Sequence, residues 1–74
     1  MKKLKIQLKK DYNYACKSFK IGAYTFIKEK NIIIVEKAKE MVFKNNNLLI
    51  KIKNERFTSE ENIPVEAIEN YEVY

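Results

Sequence analysis

The chain has no histidine, no tryptophan, and only one each of cysteine, glycine, proline and arginine; Asp11 is its sole aspartate. Each scarcity removes a class of function. Without histidine there is no imidazole base and no nitrogen ligand for the usual zinc sites, so neither a metal nor another cofactor is expected. Cys16 has Lys17 and Lys20 near it in sequence but no imidazole to generate a thiolate. It reads as a half-buried small hydrophobe on a strand. A lone cysteine also forbids an internal disulfide, which fits a reducing compartment. One glycine cannot build a phosphate-cradling loop. Glu60 and Glu61 are adjacent carboxylates, but they fall in a polar connector with nothing to make one an acid and the other a base. The composition points away from an enzyme.

Long apolar runs are also missing. The longest is Ile32-Ile33-Ile34-Val35, far short of the roughly 18 residues a membrane-spanning helix requires. The basic start, Met1 to Lys10, has neither an apolar core segment nor a small-residue cleavage site. The expectation is a cytoplasmic chain with no membrane partner.

What is present suffices for one small domain. Apolar residues make up 46% of 74 positions, enough for a core and too many for a disordered tail. A chain this short buries only about 60% of its unfolded surface, so a partner or a second copy of itself would add to its stability.

Leu4, Ile6 and Leu8 alternate with Lys5, Gln7 and Lys9, as do Leu48, Ile50 and Ile52 with Leu49, Lys51 and Lys53; both segments read as strands. Asp11 to Tyr14 is a loop carrying two aromatics. Apolar parity changes at Gly22, from Phe19 and Ile21 to Tyr24 and Phe26, so Gly22-Ala23 should form a bulge or tight turn. Lys28 to Asn31 reads as a hairpin loop, and Ile32 to Val35 as a central strand covered on both faces. Ala38, Met41 and Val42 then follow helical spacing, with Glu40 and Lys44 four apart, which predicts a short helix over residues 36–44 ended by Asn45-Asn46-Asn47. The expected class is α+β: a small, mostly antiparallel sheet or barrel-like domain of four to five strands, one packed helix, and a C-terminal arm or short helix beginning near Pro64.

Charge divides the chain. Residues 1–54 hold fourteen Lys against Asp11, Glu29, Glu36 and Glu40, a net +10, and residues 55–74 hold Arg56 against six Glu, a net −5. This suggests a basic body and an acidic extension within a single domain. The acidic end folds back as the last sheet element, forms an arm that docks on a neighbour through Ile63, Ile68 and Tyr71, steered by opposite charge, or stays disordered. Tyr12 and Tyr14, rigid and amphipathic in their loop, are further candidate interface residues. A second surface, Lys9, Lys10, Lys17 and Lys20 interleaved with aromatics, has the composition of a small barrel that binds single-stranded nucleic acid. The competing view makes the aromatics core and the lysines a solvated face. Fourteen Lys to one Arg counts against specific base or phosphate recognition.

The runs Ser18-Phe19-Lys20-Ile21-Gly22-Ala23-Tyr24-Thr25-Phe26, Ile33 to Val42, and Leu48-Leu49-Ile50 resemble a pattern found in short proteins encoded among the head and tail genes of tailed bacteriophages and prophages. The Mu-like prophage small N-terminal domain is a similar case. The resemblance implies a small virion-associated protein, at the head or the head–tail connection, acting by contact with a larger assembly. It would then reside in the bacterial host cytoplasm or the virion. It transfers no site residues, because the shared positions are core and turn positions.

Overall fold

Seven strands and one 3-10 turn build the described part of the chain, residues 2–53 and 56–74, in a computed structural model. In order they are β1 (Lys2–Leu8), β2 (Phe19–Ile21), β3 (Tyr24–Ile27), β4 (Ile32–Lys44), β5 (Asn47–Lys53), β6 (Thr58–Pro64), the turn Val65–Ala67, and β7 (Ile68–Val73). Every ladder is antiparallel. Five strands follow one path, β2-β3-β4-β1-β7, while β5 joins β4 and β6 joins β5.

The long strand β4 organises the rest. Its first half lies between β1 and β3. From Ala38 to Lys44 it pairs with β5, which takes over the edge that β3 leaves. The sheet therefore curls round one core, in which Leu4, Ile6, Leu8, Phe26, Ile33, Val35, Leu48 and Ile50 are fully buried.

The class is all-β, which corrects the α+β expectation: residues 36–44 are the second half of β4, and among the described residues no helix packs on the sheet. The error has a physical source. Leu4 faces Val35 and Lys2 faces Ala38, so β4 carries one extra residue there; Ala38 faces Ile52 and Glu40 faces Lys51, so it carries a second. Two bulges in succession place Val35, Ala38 and Met41 on the core side at steps of three. That spacing imitates the i, i+3 stripe of a helix.

Asn45 and Asn46, expected to end a helix, instead form the two-residue β4–β5 turn, with φ of 53° and 62°. Two successive left-handed residues define the type I′ hairpin, and Asn is the non-glycine residue that tolerates them best. Replacing Asn46 with Val should lower stability in urea unfolding by about 1–2 kcal/mol, while Asn46→Gly should not. Gly22 has φ 57° in the β2–β3 turn between Ile21 and Tyr24, where the change of parity required it.

The acidic end is woven into the sheet. Strand β6 pairs with β5, setting Glu60 opposite Lys51, and β7 pairs with β1, setting Glu72 opposite Lys5. Charges segregated along the sequence thus meet across strands, where opposite-sign neighbours contribute roughly 0.2–1 kcal/mol each. In place of a helix near Pro64 there is a three-residue turn that buries Ala67. The boundary expected between residues 54 and 55 falls outside the described residues.

Candidate interaction surfaces

The long connection from Lys9 to Ser18 is held by Asn31, whose own φ is 53°. Its side-chain amide donates to the carbonyls of Lys9 (2.7 Å) and Tyr12 (3.1 Å), while its backbone carbonyl accepts from Leu8 at 3.0 Å. One residue therefore fixes the path on which Tyr12 and Tyr14 sit. Asn31→Ala loses both side-chain bonds and the tolerance for positive φ. It should cost about 2–3 kcal/mol in chemical unfolding, more than Asn31→Gly, which keeps the conformational freedom.

Tyr14 lies across the core side of the β2–β3 hairpin. Its ring centroid is 5.1 Å from Phe26 and 6.3 Å from Phe19, and Phe19 stacks on Tyr24 at 6.1 Å. The Tyr14 and Tyr24 hydroxyls share a hydrogen bond of 2.6 Å. Burial raises both phenols above their ordinary pKa, Tyr24 by far the more, with the neighbouring hydroxyl and the Glu61 charge adding to the Tyr24 shift. Unfolded tyrosine ionises near pH 10, whereas Tyr24 keeps its proton well above that and Tyr14 is also shifted upward. Above that pH the unfolded state binds fewer protons than the folded one, so stability falls as pH rises. Thermal melts between pH 9 and about 11 should show a steep decline for the wild type, and a shallower one for the Tyr14→Phe, Tyr24→Phe double variant.

Beside this cluster a groove of about 260 Å³ opens between the hairpin and β6, lined by Tyr14, Ile21, Tyr24, Phe57, Ser59 and Glu61. A second cleft of about 640 Å³ is lined by Gln7, Lys10, Tyr12, Lys28, Glu29 and Lys30.

The residues singled out from the sequence scatter over these surfaces. Ile63 is wholly buried, so it cannot contact a partner; Ile68 is half-buried against the core. Tyr71 is 43% exposed and its ring lies 5.5 Å from that of Phe43. Tyr12 and Tyr14 are half-buried and pack on the core. Lys9, Lys10, Lys17 and Lys20 are all exposed, but only Lys10 lines the basic cleft. Phe19 stacks on Tyr24 and tilts against Phe26, and both of those partners are buried. Cys16 is exposed in the loop, not half-buried on a strand. Among the described residues no three Cys, Asp or Glu side chains gather where a metal ion would sit, and no helix is long and apolar enough to cross a membrane.

A further feature had no counterpart in the sequence reading. The strands at the two ends of the five-strand path each present core-side apolar side chains that the described residues leave partly open. Ile21 on β2 is 72% exposed, and Tyr71 and Val73 on β7 are 43% and 41% exposed. Their core-side placement follows from the register, which sets Ile21 opposite Tyr24, Tyr71 opposite Ile6 and Val73 opposite Leu4, and the strand order sets them at edges. No family model, curated protein or solved structure matches the chain.

Proposed function

We propose that this is a non-enzymatic structural protein that docks into a larger protein assembly through its sheet edges, as a small virion-associated component of a phage or prophage particle. The observation that carries the docking reading is the pair of free edges, β2 and β7, with core-side apolar residues left uncovered at both. Monomeric proteins usually blunt or cover such edges because they offer unpaired backbone groups to another chain. Virion association draws on the sequence resemblance, and it places the protein in the host cytoplasm or the particle. Purified particles from the producing strain should contain the wild-type chain. A Tyr71→Lys, Val73→Lys variant with unchanged circular dichroism should stay outside them. Wild-type protein absent from the particles would overturn the virion reading.

A second reading, single-stranded nucleic acid, draws on the cleft that gathers Lys10, Lys28 and Lys30 beside Tyr12. It lacks a stacking platform, because three of the aromatics are spent on one another. Labelled oligonucleotides should therefore show no saturable binding at about 0.15 M salt. Micromolar binding that weakens about 10³-fold over moderate salt would move the function to this cleft.

A further inference from the structure

We propose that the chain assembles with copies of itself head to tail, by parallel pairing of β7 of one copy with β2 of the next. This rests on the docking reading and deepens it by naming the partner as a second copy. All four ladders along β2-β3-β4-β1-β7 are antiparallel, so β2 and β7, four steps apart, run in the same direction. A second copy set beside the first in the same orientation brings its β2 against β7 as a parallel neighbour, with both core-side faces on one side.

The backbone groups at the two edges fit that pairing. Tyr74 N–H donates to the Lys3 carbonyl at 2.8 Å while Leu4 lies opposite Val73. Leu4 and Val73 are therefore a non-hydrogen-bonded pair, and Val73 and Tyr71 turn their N–H and C=O groups away from β1. At the other edge Glu36 N–H donates to the Ala23 carbonyl at 2.8 Å while Tyr24 lies opposite Val35. By the same rule Thr25 bonds to β4, and Lys20, which lies opposite Thr25, turns its N–H and C=O outward. A parallel ladder sets a residue with both groups aimed at the partner opposite one whose groups aim away, and bonds it to that residue's two neighbours. Lys20 opposite Glu72 meets this requirement: Lys20 N–H donates to the Tyr71 carbonyl, and Val73 N–H donates to the Lys20 carbonyl.

The side chains agree with the backbone. Lys20 comes beside Glu72 on the outer face. On the core side Phe19 comes beside Tyr71 and Ile21 beside Val73, covering the apolar residues that each edge leaves open. An antiparallel approach would instead set Lys20 across from Tyr71 or Val73, mixing charge with apolar surface. The contact uses different surfaces on the two copies, so repetition produces a ring where the rotation closes and a filament where it does not.

Sedimentation velocity over a concentration series tests this with a charge swap. Lys20→Glu carries two acidic edges and Glu72→Lys two basic ones, so each alone should need about tenfold higher concentration to associate. An equimolar mixture should regain wild-type association, because every contact again joins opposite charges. Val73→Pro removes a donor that faces the neighbour and spares the β1 ladder; it should keep the wild-type circular dichroism and remain monomeric, which holds the test open should a charge variant fail to fold. A wild type that stays monomeric throughout overturns the proposal while leaving incorporation into particles to decide the docking reading. Oligomers indifferent to both charge reversal and Val73→Pro overturn it as well.

Discussion

Replacing Phe26 with Ala should remove roughly half of the protein's stability. Phe26 is fully buried at the meeting of β2, β3 and β4, opposite Phe19 and Ile33, and its ring touches those of Tyr14 and Phe19. Truncating a buried Phe costs about 3–5 kcal/mol, from lost transfer energy and from the cavity left behind. A 74-residue chain has roughly 4–11 kcal/mol in total. Tyr14, the loop side chain packed on Phe26, is tied through its hydroxyl to Tyr24, which limits how far the loop can settle into the hole. Urea unfolding of Phe26→Ala should show a midpoint lowered to about half the wild-type value, whereas Phe26→Leu should stay much closer to the wild type.

Deleting residues 58–74 should abolish folding. If the acidic end were an arm, the basic body would survive its loss. The ladders predict otherwise. Strand β6 covers one edge of β5 from Asn47 to Lys53, and β7 covers one edge of β1 from Leu4 to Leu8. Removing both exposes Leu4, Ile6, Leu48 and Ile50, now fully buried, and withdraws Ile63 and Ala67 from the core. Leaving several large side chains open to water costs about 1.5–3 kcal/mol each, beyond what so small a domain can lose. The truncated chain should give no cooperative melt by circular dichroism; a sharp transition near the wild-type temperature would show that residues 58–74 are dispensable to the body.

The parts legible in the sequence are those where side-chain period and backbone register agree. Leu4-Ile6-Leu8 and Leu48-Ile50-Ile52 alternate without interruption and lie in β1 and β5, every one of them buried. Ile32 to Val35, the branched run, begins the strand that joins the two halves of the sheet. Legibility ends at bulges. Ala38 and Met41 kept an apolar spacing, but the two added residues changed its period from two to three, and helix-forming Glu and Lys filled the positions between. Strand β6 was hidden for another reason: its core-side positions before Ile63 are Ser59 and Glu61, so it has no apolar alternation to read. The free edges could not be read at all, since Ile21 and Val73 obey the same alternation as any core residue and differ only in the order of strands around them.

Amide hydrogen exchange, read residue by residue as protein concentration rises, tests the central claim most directly. Edge pairing predicts that Val73 and Lys20, whose N–H groups face outward, exchange freely in dilute solution and become protected as concentration increases. Glu72, already bonded to β1, should change little. Protection of Val73 and Lys20 that is the same at every concentration, or that rises instead at residues far from both edges, would contradict it.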